Sequence, residues 1–302
     1  MFNTSSSRLD PLGLSETLQL RPQVKPFRSQ LLKWVGNKQR FAHEIISWFP
    51  AQFGTYYEPF LGSGAVLGTL APSKAVASDS FAPLIEIWSA LRYDPEKLFH
   101  WYEERWQLAQ KIGKGAAYLQ ILQSYNANPN GADFVYLARA CYGGVVRFRK
   151  DDGYMSTPVG VHAPINPKSF RMRVLEWARR VSGTTFHRSE YSVVVEGARA
   201  DDLVYCDPPY SDTQAILYGA QSFSLKELFA EIQRLKERGV FVALSIDGTK
   251  KSGSRVCNVR IPDGLFEREI FVNVGRSMLR RFQMQGKSLE DEVVADRLLL
   301  TY

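Results

Sequence analysis

Cysteine and histidine are both scarce in this 302-residue chain. Cys141, Cys206 and Cys257 are odd in number, far apart and without a C-x-x-C pair. That pattern predicts reduced thiols in a cytosol rather than a disulfide framework. His43, His100, His162 and His187 do not cluster, so no metal site is expected. No apolar run reaches the roughly 18 residues that a bilayer-spanning helix needs, so no membrane partner is expected. Residues 1–7 are polar and lack the apolar stretch of a secretory leader, which predicts a cytoplasmic protein.

What is present is enough for a substantial fold. Hydrophobic residues make up 45% of the chain, sufficient for one large core with a smaller appended domain, or for two modest domains. The net charge is +7. Most of the excess falls between Arg139 and Glu190, where ten Lys or Arg face four Asp or Glu. A basic stretch of this kind suits an anionic partner, and equally suits a solvated surface.

Along the chain, residues 1–26 hold three prolines and no sustained period, the pattern of a loosely packed arm. Phe41, Ile45, Trp48 and Phe49 recur at helical spacing and predict a helix over 38–49, stopped by Pro50. Residues 55–60 form a strand pattern, residues 61–64 a glycine turn, residues 65–70 a helix start, and residues 74–78 a second strand ending at Asp79. This β-turn-α-β unit opens a doubly wound α/β sheet. Helical patterns then take over at 96–110, 116–125, 133–140 and 171–181, with a basic, Gly/Pro-rich run at 142–167 between the last two. The α/β pattern returns with an apolar strand at 202–206. A capping box, Ser224-Leu225-Lys226-Glu227, starts a helix whose apolar face is Leu225, Leu228, Phe229, Ile232 and Leu235. A strand at 240–246 and a closing β pair at 265–274 and 293–302 complete the pattern.

Two motifs carry chemistry. Gly62 and Gly64 lie in a turn at the carboxyl end of a strand, where α/β sheets bind ligands and where glycine permits close backbone approach. Asp79, at the end of the next strand, is placed to accept hydrogen bonds from ribose hydroxyls. A nicotinamide dinucleotide site would want a third small residue where Leu67 stands. The second motif is Asp207-Pro208-Pro209-Tyr210. Two prolines cannot continue a central strand, so the chain turns there. The turn would set the Asp207 carboxylate beside the Pro208 carbonyl, two acceptors matching the two N–H donors of an exocyclic amino group. Tyr210 would offer a π-face to a base. Either motif alone is also compatible with a plain turn.

Together the motifs resemble the Dam-like family of DNA adenine methyltransferases. Residues 32–38, Leu-Lys-Trp-Val-Gly-Asn-Lys, are similar to its N-terminal motif, residues 58–64 to its cofactor loop, and residues 207–210 to its catalytic tetrapeptide. The resemblance implies a Rossmann-like methyltransferase sheet with an inserted, mainly helical DNA-recognition domain. The implied divisions are an arm at 1–29, a cofactor-binding half at 30–92, the insert at 93–186 and a catalytic half at 187–302. S-adenosylmethionine would be the methyl donor, bound by Trp34, Lys38, Glu58, Phe60, Gly62, Gly64, Asp79 and Asp207, with no metal. Asp207, Pro208, Pro209 and Tyr210 would act on a flipped adenine. Double-stranded DNA would be held by Arg139, Tyr142, Arg147, Arg149, Lys150, Arg276 and Ser277, with Tyr142 wedged into the duplex and Arg147 on a base edge. The implied setting is a restriction–modification system with a separate cognate endonuclease, in a bacterium or a phage. Two departures stand out: Asn37 where the family usually has glycine, and the run Arg149-Lys150-Asp151-Asp152-Gly153 in place of an Asn-rich one. Two other readings remain open at this point: amino methylation of cytosine in DNA or adenine in RNA, and a non-catalytic DNA-binding module.

Overall fold

A computed structural model describes residues 23–209, 223–247, 249–250, 255–256, 259–275 and 294–302. Its centre is a seven-stranded sheet in the order β3-β2-β1-β4-β5-β9-β8. The strands are β1 (Tyr56–Glu58), β2 (Ala75–Asp79), β3 (Thr184–Arg188), β4 (Leu203–Cys206), β5 (Phe241–Asp247), β8 (Arg268–Gly275) and β9 (Val294–Leu300). A separate two-stranded pair joins β6 (Thr249–Lys250) to β7 (Arg255–Val256). The first five sheet strands run parallel, β9 joins β5 antiparallel, and β8 pairs antiparallel to β9 and so runs in the direction of the first five.

Strands buried on both faces need apolar side chains on both. Tyr56, Leu203, Tyr205 and Ala243 enter one core, while Tyr57, Val204, Cys206, Val242 and Leu244 enter the other. The period-two alternation of a strand divides them. The second core is covered by α8 (Tyr191–Val195) and α9 (Leu225–Glu237). The α9 start follows the capping box, with the Ser224 hydroxyl accepting from the Glu227 N–H at 3.3 Å. Leu228, Phe229, Ile232 and Leu235 are buried as expected, while Leu225 is half-buried.

The first core is shared with a helical block. Here α1 (Ala42–Ile46), α2 (Ala65–Leu70) and α3 (Ala82–Tyr93) lie close to the sheet. They are followed by α4 (Pro95–Ile112), α5 (Lys114–Ala127), α6 (Gly131–Ala140) and α7 (Pro167–Arg180). Side-chain caps fix several starts: Asp94 accepts from the Lys97 N–H, Asn130 from that of Asp133 and Asn166 from that of Ser169. Pro95 and Pro167 occupy first-turn positions, where a missing N–H costs nothing. The run between α6 and α7 is irregular but anchored. The Tyr118 hydroxyl donates to the Thr157 carbonyl at 2.7 Å, and Asn126 exchanges two hydrogen bonds with the Met155 backbone.

Four features differ from the sequence expectation. The helix expected over 38–49 shrinks to α1, because Phe41 offers no capping side chain and Lys38 turns inward. Helix α3 carries buried residues nearly all round, so it shows little periodicity in sequence. Strand β3 begins at Thr184, two residues before the expected boundary at 186, and pairs in parallel with β2. The end of the expected 1–29 arm, with the residues just after it, is pinned to the fold. The Phe27 ring lies 5.1 Å from that of Trp177, with the Arg180 guanidinium 3.8 Å over it. Trp177, Arg139 and Arg173 donate to the carbonyls of Ser29, Gln30 and Leu31.

Candidate active site

The carboxyl ends of β1, β2 and β4 meet where the strand order reverses, with β2 on one side of β1 and β4 on the other. Such a switch point leaves a crevice between the loops. Here it is a cleft of about 410 Å³, within the size range of small-molecule sites. Trp34, Lys38, Glu58, Phe60, Gly62, Asp79, Asp207 and Pro209, all expected at the site, line it.

Asp79 fixes the glycine turn. Its carboxylate accepts from the Gly62 and Phe81 N–H groups, each at 3.0 Å, so one side chain ties two loops together. Burial pushes this carboxyl above its ordinary range. Gly62 and Gly64 both have positive φ, 46° and 59°. A Cβ on Gly62 would meet Trp34 Nε1 at 3.0 Å, and one on Gly64 would meet the Trp88 ring at 2.9 Å. The immediate reason for glycine at both positions is thus left-handed backbone plus close tryptophan packing. Gly64 does not itself line the cleft.

Asp207 follows β4 directly, and Lys38 reaches it from the segment before α1. The Lys38 ammonium is 2.9 Å from Asp207 Oδ1 and 3.5 Å from Asp296 Oδ2, and it also donates to the Gly36 carbonyl at 3.3 Å. Lys38 is 4% exposed and Asp207 20%, so the charge pair faces the cleft from its carboxylate side. Burial lowers the Lys38 pKa, but the two carboxylates outweigh it and leave the net shift upward. Glu58 is buried nearby and accepts from the Tyr56 hydroxyl at 2.6 Å. Burial pushes its carboxyl up to about 8, with Asp207 adding to the rise.

Tyr191, Phe223 and Phe81 line the cleft and Asp296 contacts Lys38, all without a role in the sequence reading. Phe60 stacks on Tyr191 with ring centres 5.0 Å apart and meets Phe223 edge-on at 5.8 Å. Phe81 bounds the opposite side beside Trp34, 6.4 Å away. Asp296 touches Lys38 from β9, and its only signal in sequence was a carboxylate inside an apolar strand. The described lining carries five carboxyl side chains, Glu58, Asp79, Glu190, Asp207 and Glu227, against one lysine. An acidic cleft inside a chain of net charge +7 suits a cationic ligand and disfavours a diphosphate.

The residues expected on DNA separate. Tyr142 is 42% exposed, in a one-turn 3-10 helix at Tyr142–Gly144. Arg147 is exposed, with its backbone N–H held by Thr157 Oγ1 at 2.8 Å. Arg149 is exposed too, but its guanidinium pairs with Asp152 at 2.6 Å and lies 4.2 Å over the Tyr154 ring. Lys150 is exposed at the turn of the same short hairpin, which Phe148 and Met155 bridge. Arg139 corrects the expectation of a DNA contact. It is only 8% exposed, and its guanidinium donates to backbone carbonyls of the N-terminal segment. Tyr210, Arg276, Ser277 and Cys257 lie outside the described residues. Cys141 and Cys206 are free and buried. Among the described residues no His, Cys, Asp or Glu cluster is arranged to hold a metal ion, and no helix is long and apolar enough to cross a membrane.

A mostly parallel sheet with an antiparallel final pair, a glycine turn after β1 and an Asp-Pro-Pro turn after β4 define the class: a Rossmann-like methyltransferase acting on an amino group. The model of the D12 class N6 adenine-specific DNA methyltransferases matches residues 34–255, and the chain belongs to that family. A DNA adenine methylase of Vibrio cholerae is 27% identical over 71% of this chain and 79% of its own. The type II methyltransferase M1.LlaDCHI of Lactococcus lactis subsp. cremoris is 27% identical over 74% of this chain and 81% of its own. The retron Ec67 DNA adenine methylase of Escherichia coli is 31% identical over 61% of this chain and 65% of its own.

Proposed function

We propose that this adenine-specific DNA methyltransferase uses S-adenosylmethionine as donor and modifies adenine flipped out of duplex DNA. The acidic cleft carries the reading of the donor. Its carboxyl groups suit a cationic sulfonium and ammonium, its aromatic rings suit a purine, and Asp79 stands at the strand end where a ribose diol would lie. When bound, this donor would supply a methyl carbon as electrophile and leave as a neutral thioether.

The chain's own residues would prepare the nucleophile. A carboxylate has about four acceptor sites, so Asp207 can take an amino N–H while holding Lys38. The Pro208 carbonyl is the second acceptor. Held this way, the amino nitrogen keeps its lone pair out of conjugation and directed at the methyl carbon. With the donor bound, the amino nitrogen would take its methyl group, and the extra amino proton would pass to water afterwards. Positioning and electrostatics supply the rate. Flipping is required because the amino group of a paired base is not accessible to such a cleft.

The full chain, unmethylated duplex DNA and S-adenosylmethionine should yield N6-methyladenine on nucleoside digestion and mass spectrometry. Methylation of cytosine alone, or no transfer, would overturn the proposal. Type II relatives support a restriction–modification setting, with an endonuclease encoded separately.

For DNA contact we assign Arg147 to a base edge, Tyr142 to the duplex wedge and Lys150 to phosphate. Arg147→Ala should weaken binding to the preferred site by about 10–100-fold and relax discrimination at one base pair. Arg149→Ala should cost less than about threefold, because Asp152 already neutralises that guanidinium. Equal losses in a binding titration would reject the distinction.

A further inference from the structure

The antiparallel strand β9 brings a third charged group to the catalytic edge. Because it runs against β4 and β5, its first residues lie beside the carboxyl ends of those strands. Asp296 pairs in register with Asp247, the last residue of β5. Leu298 and Leu300, two and four positions on, enter the first core, so Asp296 projects to the same face as Tyr205 and Lys38. Arg297, on the other face, pairs instead with Glu269 at 2.6 Å. The result is a row in which one nearly buried ammonium lies between two carboxylates, Asp207 at 2.9 Å and Asp296 at 3.5 Å.

We propose that Asp296 is a positioning residue for methyl transfer, acting on Asp207 through Lys38. This rests on the adenine methyltransferase reading above. A buried ammonium must be paired, and with Asp207 as sole partner it would neutralise that carboxylate one to one. Contact with Asp296 divides the Lys38 ammonium between two carboxylates. Asp207 thereby stays a charge-assisted acceptor for an amino N–H, which is a stronger and shorter interaction than a neutral one. Asp296 also fixes where the Lys38 ammonium sits, and so which way the Asp207 carboxylate is turned.

Asp296→Asn keeps the shape and removes the charge. The single-turnover rate should fall about tenfold, while S-adenosylmethionine affinity by calorimetry stays within about threefold. The pH profile gives the sharper readout. Lys38 loses one of the two charges that raise its pKa, so the alkaline limb of the rate should move down by about one unit. Among the described residues, the other titratable groups around the row include Glu58 and Tyr56 on β1 and Tyr205 and Cys206 on β4, and all are unchanged in the variant. Asp296→Glu restores the charge and should recover most of the rate and the limb. A wild-type rate and profile in Asp296→Asn would overturn the inference. So would a rate loss that is uniform with pH and not rescued by glutamate, or loss of cofactor binding in both variants. Failure of the wild-type chain to methylate adenine would instead refute the underlying functional reading.

Discussion

Replacing Asp207 by alanine is expected to lower methyl transfer by at least about a thousandfold while leaving S-adenosylmethionine binding measurable. On the proposed mechanism the substitution removes an acceptor for the reacting amino group, and the rest of the cleft stays in place. Removing one preorganised polar group from an active site typically costs about two to three orders of magnitude. Misaligning the nucleophile adds to that loss. Lys38 would keep Asp296 as a partner at 3.5 Å, so the variant should fold, with some loss of stability from the weakened pairing of a buried ammonium. Asp207→Asn provides a second measurement. Its amide oxygen can still accept one N–H but carries no charge, and its rate should fall between wild type and alanine. Rapid-quench transfer of labelled methyl to a short duplex, with cofactor binding followed by calorimetry, separates the effects. An alanine variant retaining more than about a tenth of the wild-type rate would remove Asp207 from the amino-group clamp.

The parts of the site visible in the sequence were those whose chemistry lies in consecutive residues. A strand ending in Asp207-Pro208-Pro209 and a strand ending in a glycine turn can be read locally, because proline and glycine constrain their own backbone. The structure placed both turns on one edge of the sheet. What could not be read locally was pairing over long sequence distance. Arg139 belongs to a basic stretch, and charge alone suggested a surface. Its partners are the carbonyls of Gln30 and Leu31, more than a hundred residues earlier, just beyond the proline-containing stretch of residues 1–26 that suggested looseness. Asp296 is the converse case. A strand pattern gave its position, but only the antiparallel register brings it to Lys38. The acidity of the cleft was hidden for the same reason. Its carboxyl groups come from segments spread between residues 58 and 227, while the linear charge map is dominated by the basic middle of the chain.

Glu58 predicts a stability that falls as pH rises across the neutral range. Its carboxyl is buried, and burial is the main cause that lifts it from an ordinary value of 4.5 to about 8. The Tyr56 hydroxyl bond favours the ionised form but does not offset that cost, and Asp207 raises the value further. The folded chain therefore holds this proton more tightly than the unfolded chain does. The associated stability is fully present below the unfolded pKa near 4.5 and is lost progressively as pH rises to about 8. The span corresponds to about 3–5 kcal/mol, or roughly a 6–10 °C fall in melting temperature between pH 5 and 8. Glu58→Gln keeps an oxygen for the Tyr56 hydroxyl and cannot ionise, so its melting temperature should change much less over that range and exceed the wild type at pH 8. A cation placed beside Glu58 would favour its ionised form. Binding of S-adenosylmethionine near pH 7 should then release a proton in the wild type and not in the variant, which calorimetry in buffers of different ionisation enthalpy can measure. Parallel melting curves for the two proteins at every pH would show that Glu58 does not titrate in this window.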